Sequence, residues 1–511
     1  MMASIFAWDI DMRSKSNLIL VSTLLCMPVG YAEVTLDGSV GARDISPGDS
    51  VPAGSGFTYN ITSDFGEQAG ENLFHSFDRF NIHLGEHANF SGPTSVSNIV
   101  SRVTGGESSI AGKITSSISG ASLWLVNPAG FIFSNGAVVD VDGTLHLSTG
   151  DFLEFSDGSR YFSNPSASST LSTSAISSFG FLADSGGTIN IDSSRAPDGE
   201  VDAPSHNLNI NAQAITVRDA DLNAQEIGIR MGDASFGNIY LENSLLETVG
   251  GGTVKLAATA ITLDNVEVLG EAIGTGTGGD ILFEATTVSI SNDSTVNVSS
   301  LSTIDDAGDS GAVRITAETV DIANTEFLLA TLGGGEGGAL EIDATDIDLS
   351  QTLIEAETKG SGNGGEILMR GETIDWRDVA VNASGIGTGV GGEILLQGGA
   401  IKLLNPDINI TAEGSGAAGD LIASGDSFIA TGTGGIFGDS QGSGVGADIQ
   451  LLTAETELQD VTLTTSSLGD GPGGEIQIYS IDSVTINGAT LDSQARGNGA
   501  GGDIDIRTED L

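Results

Sequence analysis

The sequence predicts an all-β chain, a parallel β-helix (solenoid) of about 27 residues per coil with three short strands in each coil. The first observation is a recurring cluster, Gly-Gly-acid-Ile, which stands at Gly279-Asp280-Ile281, Gly365-Glu366-Ile367, Gly392-Glu393-Ile394, Gly474-Glu475-Ile476 and Gly502-Asp503-Ile504. Degenerate copies open at Gly252, Gly311, Gly338, Gly419 and Ala447, and one step, from Gly279 to Gly311, is longer than the rest. Self-similarity at a period of about 27 residues marks a stack of supersecondary units. The second observation is alternation inside each copy. Counted from the anchor, apolar side chains fall at positions +2 and +4 and again at +9 and +11: Val254/Leu256 with Ile261/Leu263, Ile281/Phe283 with Val288/Ile290, Ile394/Leu396 with Ile401/Leu403. A period of two means strands. The third observation is a further short strand, seen in Val296/Val298, Val381/Ala383 and Ile408/Ile410/Ala412, followed by a glycine-rich turn such as Gly385-Ile386-Gly387-Thr388-Gly389.

Coils of this kind stack with parallel strands about 4.8 Å apart, so ten copies span about 45 Å. The longer step predicts a loop insertion around Ser300 to Asp309 that leaves the stacked strands untouched. Toward the end the pattern loosens, as at Phe428/Ala430 and Thr456/Leu458.

The 511 residues carry 18 Lys+Arg against 69 Asp+Glu, a net charge of −51. Such a surface repels nucleic acid and anionic lipid, which excludes both as partners. Hydrophobic residues make up 39% and are regularly placed, so the acid coats something folded rather than a disordered polymer. The acids that follow the anchors (Asp280, Glu366, Glu393, Asp420, Asp448, Glu475, Asp503) are expected to lie one coil above another. Two readings of that row are cation binding along the shaft and a solvated edge that blocks aggregation; the once-per-coil spacing fits calcium nonapeptide repeats poorly and favours the second.

The N-terminus reads as an export signal: Arg13 and Lys15, an apolar run from Leu18 to Met27, then Gly30-Tyr31-Ala32, with cleavage expected between Ala32 and Glu33. Asp9 and Asp11 suit an n-region poorly, which points to Met12 as an alternative start. Leu25 before Cys26 argues against lipidation, and cleavage removes the only cysteine, so disulfides and thiolate metal sites are excluded from the mature chain. No other segment approaches the roughly 18 apolar residues of a membrane span.

Residues 33 to about 205 lack the repeat period and hold His75, His83, His87 and His146, with His206 just beyond. These histidines lack metal-ligand spacing and are expected at surface or turn positions. Leu123 to Val126 reads as a buried strand, Asn127-Pro128-Ala129-Gly130 as a tight turn and Phe131 to Phe133 as the next strand, which alone means a hairpin or a β-helix corner. That stretch follows Leu73-Phe74-His75-Ser76-Phe77-Asp78-Arg79-Phe80 and Asn98-Ile99-Val100-Ser101-Arg102-Val103-Thr104-Gly105-Gly106, and precedes Phe179-Gly180-Phe181-Leu182. Together these motifs resemble the N-terminal secretion domain of the filamentous haemagglutinin family, the exoproteins of bacterial two-partner secretion, over roughly residues 33 to 185.

The resemblance implies a right-handed parallel β-helix with extra-helical strands. It also implies a cognate outer-membrane β-barrel transporter that recognises this domain in the periplasm, and export to the surface or exterior of a Gram-negative-type bacterium. The family's Asn-Pro-Asn-Gly motif falls on Asn127, Pro128, Ala129 and Gly130, with Ala129 in place of the second Asn. Both a turn needed for folding and a direct transporter contact are compatible with this motif. The family's second motif, Asn-Pro-Asn-Leu, is absent.

The organisation expected is a signal peptide over 1–32, a two-partner secretion (haemagglutination activity) domain over 33–205, transition coils over 206–251 and a repeat shaft over 252–511 that is apparently truncated. The function expected is an adhesin- or haemagglutinin-like exoprotein that engages a host-cell, glycan or neighbouring-cell surface. The alternatives are a secreted β-helical polysaccharide-degrading enzyme and the shaft of a toxin-delivery exoprotein whose effector lies further on. Catalysis on glycosidic bonds needs positioned carboxylates, usually with basic neighbours, and the repeats offer no His after His206; Asp346 and Asp348 flank the inward Ile347 and so face solvent. No catalytic residue, metal or cofactor is expected.

Overall fold

A computed structural model of the chain describes residues 33–41, 46, 48–54, 56–134, 136–182, 186–192, 200–202, 207–231, 237–304 and 307–509. Among them no α-helix occurs, and the strands form a parallel β-helix. Alternation in the repeats becomes register. The first inward side chains of the copies, Val254, Ile281, Val313, Leu340, Ile367, Ile394, Leu421, Ile449 and Ile476, are in-register neighbours on successive coils, and all are buried. The inward pairs of the second strand, such as Val320/Ile322 and Ile347/Leu349, form a second ladder, and Val296, Phe327, Ile354, Val381, Ile408, Ile436 and Leu463 form the third. Each inward Leu or Ile removed from water contributes about 2 kcal/mol, so the stack is held mainly by apolar columns. From Glu366 onward the first two strands of a coil run together, as in Glu366–Arg377 and Glu393–Leu404.

The insertion expected near Ser300 leaves the ladders intact, since Ile281 pairs directly with Val313. The loosened copies also keep their places. Phe428, Ala430 and Leu458 are fully buried, and the inward Thr456 shares hydrogen bonds with Thr453 (2.8 Å) and Ser480 (2.7 Å).

The corner between the second and third strands holds a column absent from the expectations. Asp219, Asn243, Asn265, Asn324, Gln351, Asp378, Asn405 and Asp460 all have φ between 47° and 56°, and Gly432 takes the same corner at φ 105°. Asn and Asp tolerate this left-handed conformation better than other side chains. Their amides also bond from coil to coil: Asn265 Nδ2 donates to Asn243 Oδ1 at 2.8 Å and Asn405 Nδ2 to Asp378 Oδ1 at 2.9 Å.

The acids after the anchors do not form an unbroken row, because Ala312 and Ala339 separate Asp280 from Glu366. Where they do stack, they bind backbone: Asp420 Oδ1 accepts the Asp448 N–H at 3.0 Å and Asp448 Oδ1 accepts the Glu475 N–H at 2.9 Å. The carboxylates thus tie coils together as well as face solvent. Among the described residues no group of three or more His, Cys, Asp or Glu side chains is placed to hold a metal ion.

The N-terminal region, which shows no period in sequence, belongs to the same stack. Leu73, Ile99, Leu123, Leu145 and Leu208 are register neighbours in the first ladder, yet they are unevenly spaced along the chain, and the step from Leu145 to Leu208 is by far the longest. That step accommodates an antiparallel sheet outside the helix, made of Arg160–Phe162, Phe152–Phe155 and Ile176–Gly180 in that order. It packs on the outer face of the first ladder through Phe74, Val100, Val126, Leu153, Phe155 and Tyr161. Val34–Leu36 and Glu67–Ala69 pair antiparallel with Asn72–Phe80 at the first coil.

Candidate functional site

The turn at Asn127 is a corner of the β-helix and not a hairpin. Ser122–Val126 pairs with Asn98–Val103 and Leu145–Ser148, while Phe131–Ser134 pairs with Ser108–Ile110 and Thr188–Asp192. Asn127 is fully buried, and its amide is fully used. Nδ2 donates to Gly106 O at 2.8 Å and to Ser108 Oγ at 3.0 Å, and Oδ1 accepts the Ala129 N–H at 2.9 Å. Its backbone N–H donates to Ser148 O (2.9 Å), and the Gly130 N–H closes the turn on Asn127 O (3.0 Å). One residue therefore joins three coils. Gly130 sits at φ 110°, and a Cβ there would lie 2.6 Å from Thr188 O, so glycine is required for both conformation and space.

The other members of the motif face outward. Pro128 is half-buried and Ala129 exposed, and together with Val103, Thr104, Asn164 and Pro165 they line a groove of about 380 Å³. Since Ala129 points to solvent, replacing the usual second Asn costs the turn no internal side-chain contact. Of the cleavage pair, Ala32 lies outside the described residues. Glu33 accepts hydrogen bonds from Asn81, through its carboxylate at 2.7 Å and its backbone carbonyl at 2.9 Å.

A second constellation gives a role to Arg102, for which the sequence motif alone suggested none. Arg102 is 3% exposed. Its Nε donates to Ser76 Oγ at 2.6 Å, Nη2 to Ser39 Oγ at 2.7 Å and Nη1 to Phe162 O, and the guanidinium lies 4.6 Å from the centre of the Tyr161 ring. Asp37 accepts from Ser39 Oγ (2.6 Å) and Ser76 Oγ (2.7 Å). Burial by itself raises the Asp37 pKa, but the hydrogen bonds from Ser39 and Ser76 and the charge of Arg102 outweigh it and hold the carboxyl below its usual range. The cluster fastens the N-terminal strand, two coils and the antiparallel sheet at one point.

Two histidines, His75 and His146, depart from the surface or turn positions expected of them, whereas His83 is exposed. His75 is wholly buried, with Nε2 3.3 Å from Thr62 O and Nδ1 lacking a hydrogen-bond partner among the described residues. His146 stacks on Trp124 with ring centroids 3.5 Å apart. His87 Nε2 lies 2.7 Å from Thr115 Oγ1, His83 Nε2 lies 3.7 Å from Glu33, and His206 is outside the described residues. Burial lowers the pKa of His75 to about 4 and that of His146 to about 3. The unfolded chain therefore binds protons that the folded one refuses. Stability from His75 is complete above its unfolded pKa of about 6.5 and falls as pH drops toward 4, by about 3 kcal/mol in all. Urea denaturation at pH 7 and pH 4.5 is expected to show a loss to which His75 and His146 both contribute, and His75→Leu is expected to remove about half of the histidine share; a slope unchanged by the substitution would assign the acid sensitivity elsewhere.

Residues 45–282 match the family model of the TPS secretion domain, where TPS denotes two-partner secretion. The chain carries a two-partner secretion domain. Among solved structures, the HMW1 secretion domain from Haemophilus influenzae is similar, at 14% identity and a TM-score of 0.44, over 72% of this chain and 89% of that one. No curated protein matches the chain. Such a domain means that the chain has a cognate outer-membrane transporter and crosses the outer membrane of a Gram-negative bacterium. Among the described residues no helix is long and apolar enough to cross a membrane. The matched region includes Asn127, Arg102 and the antiparallel sheet, and it extends into the first repeat coils, where Ile281 continues the ladder begun at Leu73.

Proposed function

We propose that the exported chain acts as an adhesin-like protein at or beyond the cell surface, with residues 33–205 as the unit the transporter reads, 206–251 as transition coils and 252–511 as the shaft it delivers. The observation that carries this reading is the unbroken first ladder from the matched secretion region into the acidic repeats, which makes one rigid rod of the export unit and its passenger. A solenoid adds coils one at a time through nearest-neighbour contacts, so a chain threaded through a barrel can fold outside from its exported end without disulfides.

In this reading the transporter reads the exposed edge of the turn, Pro128 and Ala129, while Asn127 sets the turn's shape from within. The experiment is deletion of the transporter gene and, separately, of the exoprotein gene. Each is expected to reduce attachment of the bacteria to host or neighbouring cells. Undiminished attachment, or depolymerisation of a polysaccharide by the purified protein, would count against the adhesin role and favour the enzyme alternative.

A further inference from the structure

Beyond the antiparallel sheet, the outer face of the first ladder emerges into a cavity of about 720 Å³. One wall is aromatic: the indole of Trp124 stacks on the His146 imidazole, and Phe179, on the edge strand Ile176–Gly180, tilts against both at 5.4 Å and 6.4 Å. The floor continues the same outward column on successive coils, Trp124, His146, Asn209, Gly228 and Lys255. Asn209, Asn211 and Arg230 line it, and their side chains make no hydrogen bond or ion pair with other described residues. At Gly228 the floor dips, since a Cβ there would stand 2.9 Å from Asn209 Oδ1.

The charge also differs from that of the shaft. Arg230 and Lys255 offset Glu226 and Glu284 here, in a chain whose net charge is −51, whereas the cavity along the repeats is lined by Asp321, Asp346, Asp348 and Asp375 with Lys402.

We propose that this groove binds a neutral oligosaccharide. Sugar rings present C–H faces that pack on aromatic walls and hydroxyls that pair with free amides and a guanidinium, and a ligand without charge enters a near-neutral groove without opposing the acidic surface. An extended peptide added to the free edge of Ile176–Gly180 needs apolar pockets for alternate side chains, and the floor of the coils beyond His146 offers only Gly228, Ala257 and Ile227, whose own side chain is buried in the core of the coil. The inference rests on the adhesin reading for its biological sense and on the groove alone for its chemistry.

The probe for the test is already in place. With residues 1–32 removed, the chain keeps two tryptophans, and Trp376 is buried inside the shaft at 1% exposure. In the mature chain with Trp376→Phe, the emission of Trp124 is expected to change saturably with a neutral oligosaccharide selected on a glycan array. Gly228→Leu, which fills the dip, is expected to weaken that binding at least tenfold with no change in Tm. Absence of any retained glycan on the array, equal affinity in Gly228→Leu, or an extended peptide that shifts Trp124 emission where sugars do not would each overturn the proposal. Bacteria that display Gly228→Leu and still adhere would retire the groove while leaving the adhesin role standing.

Discussion

Asn127→Ala is expected to reduce exported protein in the medium at least tenfold, with the chain retained or degraded in the periplasm. The substitution removes a fully buried side chain and leaves Gly106 O, Ser108 Oγ and the Ala129 N–H, the second of them buried and the other two part-buried, without their partner. Each such orphaned group costs about 1 kcal/mol or more, so the corner loses about 3 kcal/mol, a large part of the margin of an ordinary domain. Because Asn127 joins three coils, the damage reaches the coils on either side. Immunoblots of medium and periplasm check the export, and thermal denaturation checks the fold. Ala129→Lys separates shape from contact: it changes an exposed side chain, so Tm is expected to hold while export falls if the transporter reads that edge. Normal export of the Asn127→Ala, Pro128→Ala double variant would remove the turn from the export mechanism.

Arg102→Met is expected to be at least as damaging to the fold. It removes a buried cation from Asp37, Ser39 and Ser76 and leaves Phe162 O without its donor, and loss of one partner from a buried charged cluster costs about 3–5 kcal/mol. With it goes the point that fastens the antiparallel sheet to the coils, so protease cleavage between Phe152 and Gly180 is expected to accelerate. Asp37→Asn in the same chain removes the stranded carboxylate and is expected to recover part of the loss. A Tm unchanged in Arg102→Met would show that the apolar contacts of Phe74, Val100 and Tyr161 hold the sheet without the cluster.

The shaft was legible because its coils are of nearly equal length, which turns stacking into a sequence period. The N-terminal coils obey the same register, but the uneven steps from Leu73 through Ile99, Leu123 and Leu145 to Leu208 conceal it, and only the motifs at 73–80, 98–106, 123–133 and 179–182 signalled that region's identity. The left-handed corner column carried a usable signal that alternation alone overlooks. Asn265, Asn324, Gln351, Asp378, Asn405 and Asp460 each stand two places after the last inward residue of the second strand, Leu263, Ile322, Leu349, Trp376, Leu403 and Leu458 in turn. Apolar patterning finds the inward face, whereas a corner is specified by short polar residues that also occur in ordinary loops. The placement of Arg102 could not be read at all, because its partners at Ser39, Ser76 and Phe162 come together only when the sheet folds back over the coils.

The in-register coils have a mechanical meaning as well. The hydrogen bonds between neighbouring coils run along the shaft axis, so tension applied along that axis falls on one coil boundary at a time, and the rod yields from an end while the remainder stays wound. Each released coil of about 27 residues pays out about 90 Å of extended chain. In the proposed adhesin role, such a rod is expected to lengthen in discrete steps under load and to rewind when the pull relaxes.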